Sequence, residues 1–454
     1  MRSLIAGVAA VVLLPVSFPV SPALAVDTGR GAPARVAKVV ADTGGTLVFI
    51  RRGNVWISRA NGTGARAVTR DGTAASPYRT PTQDDHGHIL ALRGRGAKAV
   101  VSRLDQHGRV LKQYRVPISS FGPDFVSVSP DGTKLAYETM FEANDCSYTP
   151  CHTFFQHAIE YAVATTGGVL RGAHDVQDAD FASWAGNGRT VLQTRRLNVV
   201  ALHRPGEAKA VDWFASCLSY QEGCGETDVL NYTPAVNRQG SRLAVSRLED
   251  TNGVKQAYLL VFSTTNATTG NPPALPGAGC AHPAAPPTAD FPGHADLTIS
   301  APSFSPAGRS VVFAQRTGST WNTRVYTPVI GNCAASDPVT VLRSAAEPHW
   351  SAAPLSRPTL TWTKAKHPRL KGAAKVGSKL RPAMKKKATR KGFAPAATGL
   401  RYQWLRNGHW IKHATRATYR IRKADRHKRL KVRITGIRKG LVKATVTSRA
   451  KRVR

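Results

Sequence analysis

Apolar positions in this chain come in short runs, and each run follows a polar turn that carries glycine. Gly44-Gly45 leads into Thr46-Leu47-Val48-Phe49, and Asp85-His86-Gly87 leads into His88-Ile89-Leu90-Ala91-Leu92. Ser129-Pro130-Asp131-Gly132 precedes Thr133-Lys134-Leu135-Ala136-Tyr137, and Gly186-Asn187-Gly188 precedes Arg189-Thr190-Val191-Leu192. Arg238-Gln239-Gly240 and Ser305-Pro306-Ala307-Gly308 introduce the last two, which end in Leu243-Ala244-Val245 and Val311-Val312-Phe313. The runs alternate or stay continuously apolar over a few residues, as strands buried on one or both faces do. The glycine before each run supplies the positive φ of a hairpin turn.

The turn glycines at 45, 87, 132, 188, 240 and 308 are spaced by 42, 45, 56, 52 and 68 residues. A period of roughly 40–50 residues with insertions is that of a β-propeller, one four-stranded blade per repeat. Composition agrees, since 39 Gly and 29 Pro against 3 Met favour turns over long helices. The expected fold class is all-β: a six-bladed propeller over residues 26–363, followed by a small β-sandwich. A degraded seventh copy, Pro348-His349-Trp350-Ser351, is expected to supply closing strands.

These copies resemble the TolB-type propeller repeat, an aromatic residue, then Ser-Pro-Asp-Gly, then an aliphatic strand. Ser129–Gly132 match it fully, and Phe304–Gly308 match except for Ala307 in place of Asp. Trp184 and Trp350 stand at the leading aromatic position, and Asn54-Val55-Trp56-Ile57 with Asn61-Gly62-Thr63-Gly64 looks like the companion hairpin. The resemblance covers roughly residues 38–363 and implies protein partners at the propeller mouth. With about a dozen residues between the signal segment and the first repeat, the N-terminal helical domain of that family is not expected here.

The first 25 residues read as a signal peptide: Arg2, an apolar run Leu4–Val16, then Ala23-Leu24-Ala25. No other segment approaches the ~20 apolar residues of a membrane-spanning helix. Export to an oxidising compartment then makes a disulfide framework of Cys146, Cys151, Cys217, Cys224, Cys280 and Cys333. Proximity favours 146 with 151 and 217 with 224, which leaves 280 with 333, one of fifteen connectivities. All six lie in the longer insertions, where pinned loops either stabilise the fold or build a recognition rim.

Charge divides the chain near residue 364. Residues 364–454 hold 31 Lys+Arg and one acid, Asp425, a net of +30 out of +37 for the whole chain. Within them, Pro368–Leu380, Tyr402-Gln403-Trp404-Leu405-Arg406-Asn407-Gly408 and Leu430-Lys431-Val432-Arg433-Ile434 resemble the bacterial Ig-like module of exported Gram-positive surface proteins. On that reading Trp404 is a core aromatic, Asn407-Gly408 a hairpin turn, and Leu430, Val432 and Ile434 the inward set of a strand. The alternating bases Arg420, Arg422, Lys431 and Arg433 then share one exposed face, and Lys385, Lys386, Lys387, Arg390 and Lys391 occupy an outward loop. Tyr402, Trp404, Trp410 and Tyr419 are expected to be core residues rather than stacking platforms.

Catalytic signatures are missing. The sequence has no G-x-S-x-G elbow, no H-E-x-x-H and no phosphate-binding loop, and the residues beyond the propeller are too few for a hydrolase domain. Gly94-Arg95-Gly96-Ala97-Lys98-Ala99 formally fits a dinucleotide fingerprint but sits between strands. Asp84-Asp85-His86-Gly87-His88 packs metal-type ligands into a turn that demands Asp and Gly for conformational reasons. No catalytic residue, cofactor or metal is therefore assigned. The expected function is that of an exported, monomeric, non-enzymatic binding protein, secreted and attached to the envelope. Its partners are an envelope polyanion, teichoic acid or acidic polysaccharide, or another exported protein. A tethered propeller polysaccharide lyase or glycosidase, and an extracellular nucleic-acid-binding protein, are the alternatives.

Overall fold

The computed structural model describes residues 44–117, 121–146, 151–194, 199–215, 227–251, 254–264, 279–286, 297–333, 337–357, 359–364, 367–438 and 441–454. The segment 1–25, Cys217 and Cys224 lie outside the described residues. Strands dominate, and the described residues contain six four-stranded antiparallel sheets that follow one another along the chain. The innermost strands of these sheets are Tyr78–Gln83, Phe121–Val128, Ala179–Ala185, Thr227–Val236, Ile299–Phe304 and Ala346–Ser351. Each packs against the next, and the last returns to the first, so the six close a ring.

Closure pairs the earliest described strand with a much later one. Ala346–Ser351 pairs antiparallel with Thr46–Arg51, in register Thr46↔Ser351, Leu47↔Trp350 and Val48↔His349. The first sheet is thus completed by a strand some 300 residues later, which removes the edge an open sheet would expose. This architecture is a β-propeller. Apolar side chains fill the spaces between adjacent sheets, as where Leu47, Phe49 and Trp350 pack with Val312 and Val325.

The turns after four of the inner strands repeat one hydrogen bond. Gly132 N–H donates to Ser129 O at 2.8 Å, Gly240 to Asn237 at 2.9 Å and Gly308 to Ser305 at 2.8 Å. At Gly132 glycine is needed twice, for φ +71° and because a Cβ would lie 2.3 Å from Asp84 Oδ2 of the preceding sheet. In the fourth repeat the positive-φ residue is Gly186 (φ 67°), not Gly188. Trp184 and Trp350, just before their turns, donate indole N–H bonds of 2.9 Å, the first to Ser127 O of the preceding sheet and the second to Gly44 O beside the paired strand of its own sheet.

The disulfides Cys146–Cys151 and Cys280–Cys333 are present. The first ties the tip of the long hairpin Lys134–Asp145/His152–Val163. The second joins the outer strand Gly279–Ala284 of one sheet to the segment after Thr320–Tyr326 of the next.

Beyond residue 358, small sheets surround a separate core of Leu380, Trp404, Tyr419, Leu430, Val432 and Ile434. Leu360 and Trp362 belong to this core, so its packing starts upstream of Lys364. The Asn407-Gly408 turn has φ 48° and 93°, the signs a two-residue hairpin loop requires.

Candidate binding channel and cationic surface

A cavity of about 580 Å³ runs inside the ring, walled by the inner strands. Its walls are kinked by design of the backbone: Thr80, Phe181, Thr233, Ala301 and Glu347 all have φ between 44° and 51°. At each the strand register slips. Pro81, Pro234, Pro302 and Pro348 follow four of them. Proline has no N–H to lose where the ladder is interrupted, which suits it to a bulge. The backbone donors freed there turn to side chains of adjacent sheets. Thr80 N–H donates to Glu347, and Gln83 N–H donates to His349 Nδ1 at 3.3 Å.

Charged groups cluster at both mouths. At the end where the inner strands begin, Arg79 pairs with Asp124 at 3.1 Å. At the other end Arg238 holds Asp85 through two bonds, 2.5 and 2.6 Å. Asp85 follows the second sheet's inner strand and Arg238 the fifth's, so in a ring of six this bidentate pair joins opposite sides. His349, beside it, is pulled down to about 4 by burial and then by Arg238, with Asp85 opposing. It therefore faces the cavity as a neutral imidazole.

On the wall of the cavity His157 meets two carboxylates. Its Nδ1 lies 2.9 Å from Glu138 Oε1 and 3.0 Å from Asp180 Oδ1. Glu138 is buried, and both Glu138 and His157 line the cavity. Hydrogen bonds to Asp180 and Glu138 push His157 up to about 10 against the pull of burial. The three residues come from three strands and two sheets, and no local motif marked them.

The turn Asp84–His88 serves structure instead. Asp84 is buried and accepts from His86 N, His88 N and His88 Nδ1 at 3.0, 2.8 and 2.8 Å. The glycine-rich Gly94–Ala99 segment is a short 3-10 turn between strands Ile89–Arg93 and Val100–Leu104.

The basic residues of the C-terminal unit are distributed more widely than alternation predicts. Lys431 and Arg433 lie on Arg429–Ile437, whereas Arg420 and Arg422 lie on or next to Tyr419–Arg420, in a different sheet around the same core. Lys385, Lys386 and Lys387 are exposed, but the segment Lys386–Arg390 is one turn of α-helix, not a loop. Its C-terminal Arg390 and Lys391 oppose the helix dipole favourably. Trp404 and Tyr419 are buried as expected. Trp410 is not: it is 68% exposed at a hairpin edge, with the Arg433 guanidinium 5.7 Å over its ring.

Asp425, the one acid of this unit, is turned inward. It is fully buried and accepts from Arg406 Nε at 2.6 Å, Tyr419 Oη at 2.8 Å and Arg422 N at 2.7 Å. The outer surface is left to cations.

No protein-family model and no curated protein matches the chain. Among solved structures, TolB from Acinetobacter baumannii is similar at 14% identity and TM-score 0.42, over 68% of this chain and 67% of that one. A protein of unknown function from Desulfotomaculum acetoxidans is similar at 9% and 0.42, over 68% and 89%. The β-propeller domain of Cps50 (Swd1) from Myceliophteria thermophila is similar at 10% and 0.33, over 75% and 93%. The propeller class rests on this chain's own closed ring of sheets.

Proposed function

We propose that the chain is an exported binding protein: a six-bladed TolB-like propeller that recognises a protein or glycan, carried on a basic Ig-like sandwich that attaches to envelope polyanions. The observation that carries this reading is the segregation of charge. Thirty-one bases share residues 364–454 with a single acid, and that acid is spent inside the core. A surface kept basic merely for solubility has no reason to concentrate on one unit. Polyanion binding by such a surface releases counterions, so affinity falls steeply with salt. Exposed Trp410 under Arg433 adds a flat apolar face for a sugar ring or a base. Disulfides at Cys146–Cys151 and Cys280–Cys333 agree with an oxidising destination.

The test is retention of the isolated C-terminal unit on purified cell walls with and without teichoic acid, and on duplex DNA, across a salt series. The expected result is strong, salt-sensitive retention on teichoic-acid-bearing walls and loss on stripped ones. Salt-independent retention, or equal retention of residues 26–357 alone, overturns the anchoring role. Preference for DNA replaces the envelope with nucleic acid.

A further inference from the structure

We propose that Glu138, His157 and Asp180 form a binding site for one divalent transition-metal cation on the wall of the propeller channel. The three donor atoms, Glu138 Oε1, His157 Nδ1 and Asp180 Oδ1, all lie within 4.8 Å of one another. The two measured edges of this triangle are 2.9 and 3.0 Å. Ligands bonded at ~2.1 Å and about 90° apart are separated by about 3.0 Å, so one cation fits the triangle with little movement. A proton fits it less well. Imidazole Nδ1 carries at most one hydrogen, and two carboxylates from different strands converge on that nitrogen.

A second observation comes from a neighbouring element. Tyr232, on the adjacent sheet, is 3% exposed, and its hydroxyl has no hydrogen-bond partner among the described residues. Its ring packs in one apolar cluster with Phe181, the residue after Asp180. A buried phenol donor is costly to leave unpaired. It is the group expected beside a site whose occupant, a cation with bound water, supplies the acceptor.

Backbone geometry holds the ligands. Glu138 and His157 stand on the two arms of one hairpin, His157 opposite Met140 in register. Asp180 is set by the inner-strand bulge, between Asp178 and Phe181, both at positive φ. One imidazole and two carboxylates suit manganese, iron or zinc better than calcium, which takes oxygen ligands. Because Glu138 and His157 line the cavity, the remaining coordination positions face the channel, where a ligand's oxygen has access. This site is independent of the cationic surface and of whatever the C-terminal unit binds.

The experiment is calorimetric titration of the untagged, chelator-dialysed full chain with zinc chloride and with manganese chloride. Wild type should bind one equivalent of at least one of them and gain thermal stability. The isosteric variants Glu138→Gln and Asp180→Asn, and His157→Ala, should each weaken that binding at least 100-fold. Circular dichroism establishes that each variant is folded. If wild type shows no saturable binding of either ion, the proposal is overturned whatever the variants do. Unchanged one-to-one binding in folded His157→Ala overturns it equally. Both results would leave the cluster as an imidazolium held by two carboxylates.

Discussion

At the scale of single residues, burial decides what a side chain becomes. Asp425 illustrates this in the basic unit. A lone carboxylate among 31 bases would be expected at the surface, yet it lies at the centre of a hydrogen-bond set with Arg406, Tyr419 and the Arg422 backbone. Counting charges revealed that it was alone, but not that it was inside. His349 makes the same point for the channel. Its folded value of about 4 lies below the ~6.5 of an unfolded histidine. Between those values the unfolded chain takes up a proton that the fold refuses. Stability from this group is therefore intact above pH ~6.5 and is lost as pH falls towards 4, by about 3 kcal/mol at most. Urea denaturation across that window should show a shallower acid loss for His349→Gln than for wild type. Parallel curves would remove His349 from the account.

Among elements, the short-range signals were the legible ones. Turn glycines could be read because a positive φ is a local demand, although two glycines within one turn, 186 and 188, hid which one carried it. The Lys386–Arg390 helix escaped because one turn is too short to show a period. Trp410 was misread because it stands at the end of a two-residue strand, His409–Trp410, where alternation has no length to establish which face is inward. The Cys280–Cys333 bridge follows from the sequence only as the pair left over once 146/151 and 217/224 are tied to their neighbours, and the structure adds that it joins neighbouring sheets. Its sequence separation of 53 corresponds to about 4 kcal/mol of loop-closure entropy. The double variant Cys280→Ser/Cys333→Ser should lower the melting temperature by several degrees, on the order of 2–4 °C per kcal/mol for a domain this large. An unchanged melting temperature would mean that the surrounding packing already holds the two sheets together.

For the whole molecule, the ring brings together residues that chain order keeps apart. Arg238 and Asp85 are 153 residues apart in sequence and meet across one mouth of the channel. Each side chain is about one third exposed, so the pair contributes on the order of 1 kcal/mol rather than the several expected of a buried one. In a double-mutant cycle, Asp85→Ala and Arg238→Ala should each destabilise by about 1 kcal/mol, and together by less than their sum. Strict additivity in denaturant unfolding would show that the mouth is not latched by this pair.

Residue order alone was enough for the repeated strand–turn–strand unit, the all-β class, the concentration of positive charge after residue 363, and two of the cysteine pairs. Each follows from local chemistry or from counting: a glycine where φ must be positive, alternation where one face is buried, neighbouring cysteines tied first and the last two left for each other. The channel was decided by ring closure. Its bulged walls have non-glycine residues at positive φ that no propensity favours, and they persist because neighbouring sheets supply partners such as Glu347 for the freed amides. The Glu138–His157–Asp180 cluster exists for the same reason. Each residue is unremarked on its own strand, and it took a hairpin register and the packing of two sheets to set three donor atoms around one point.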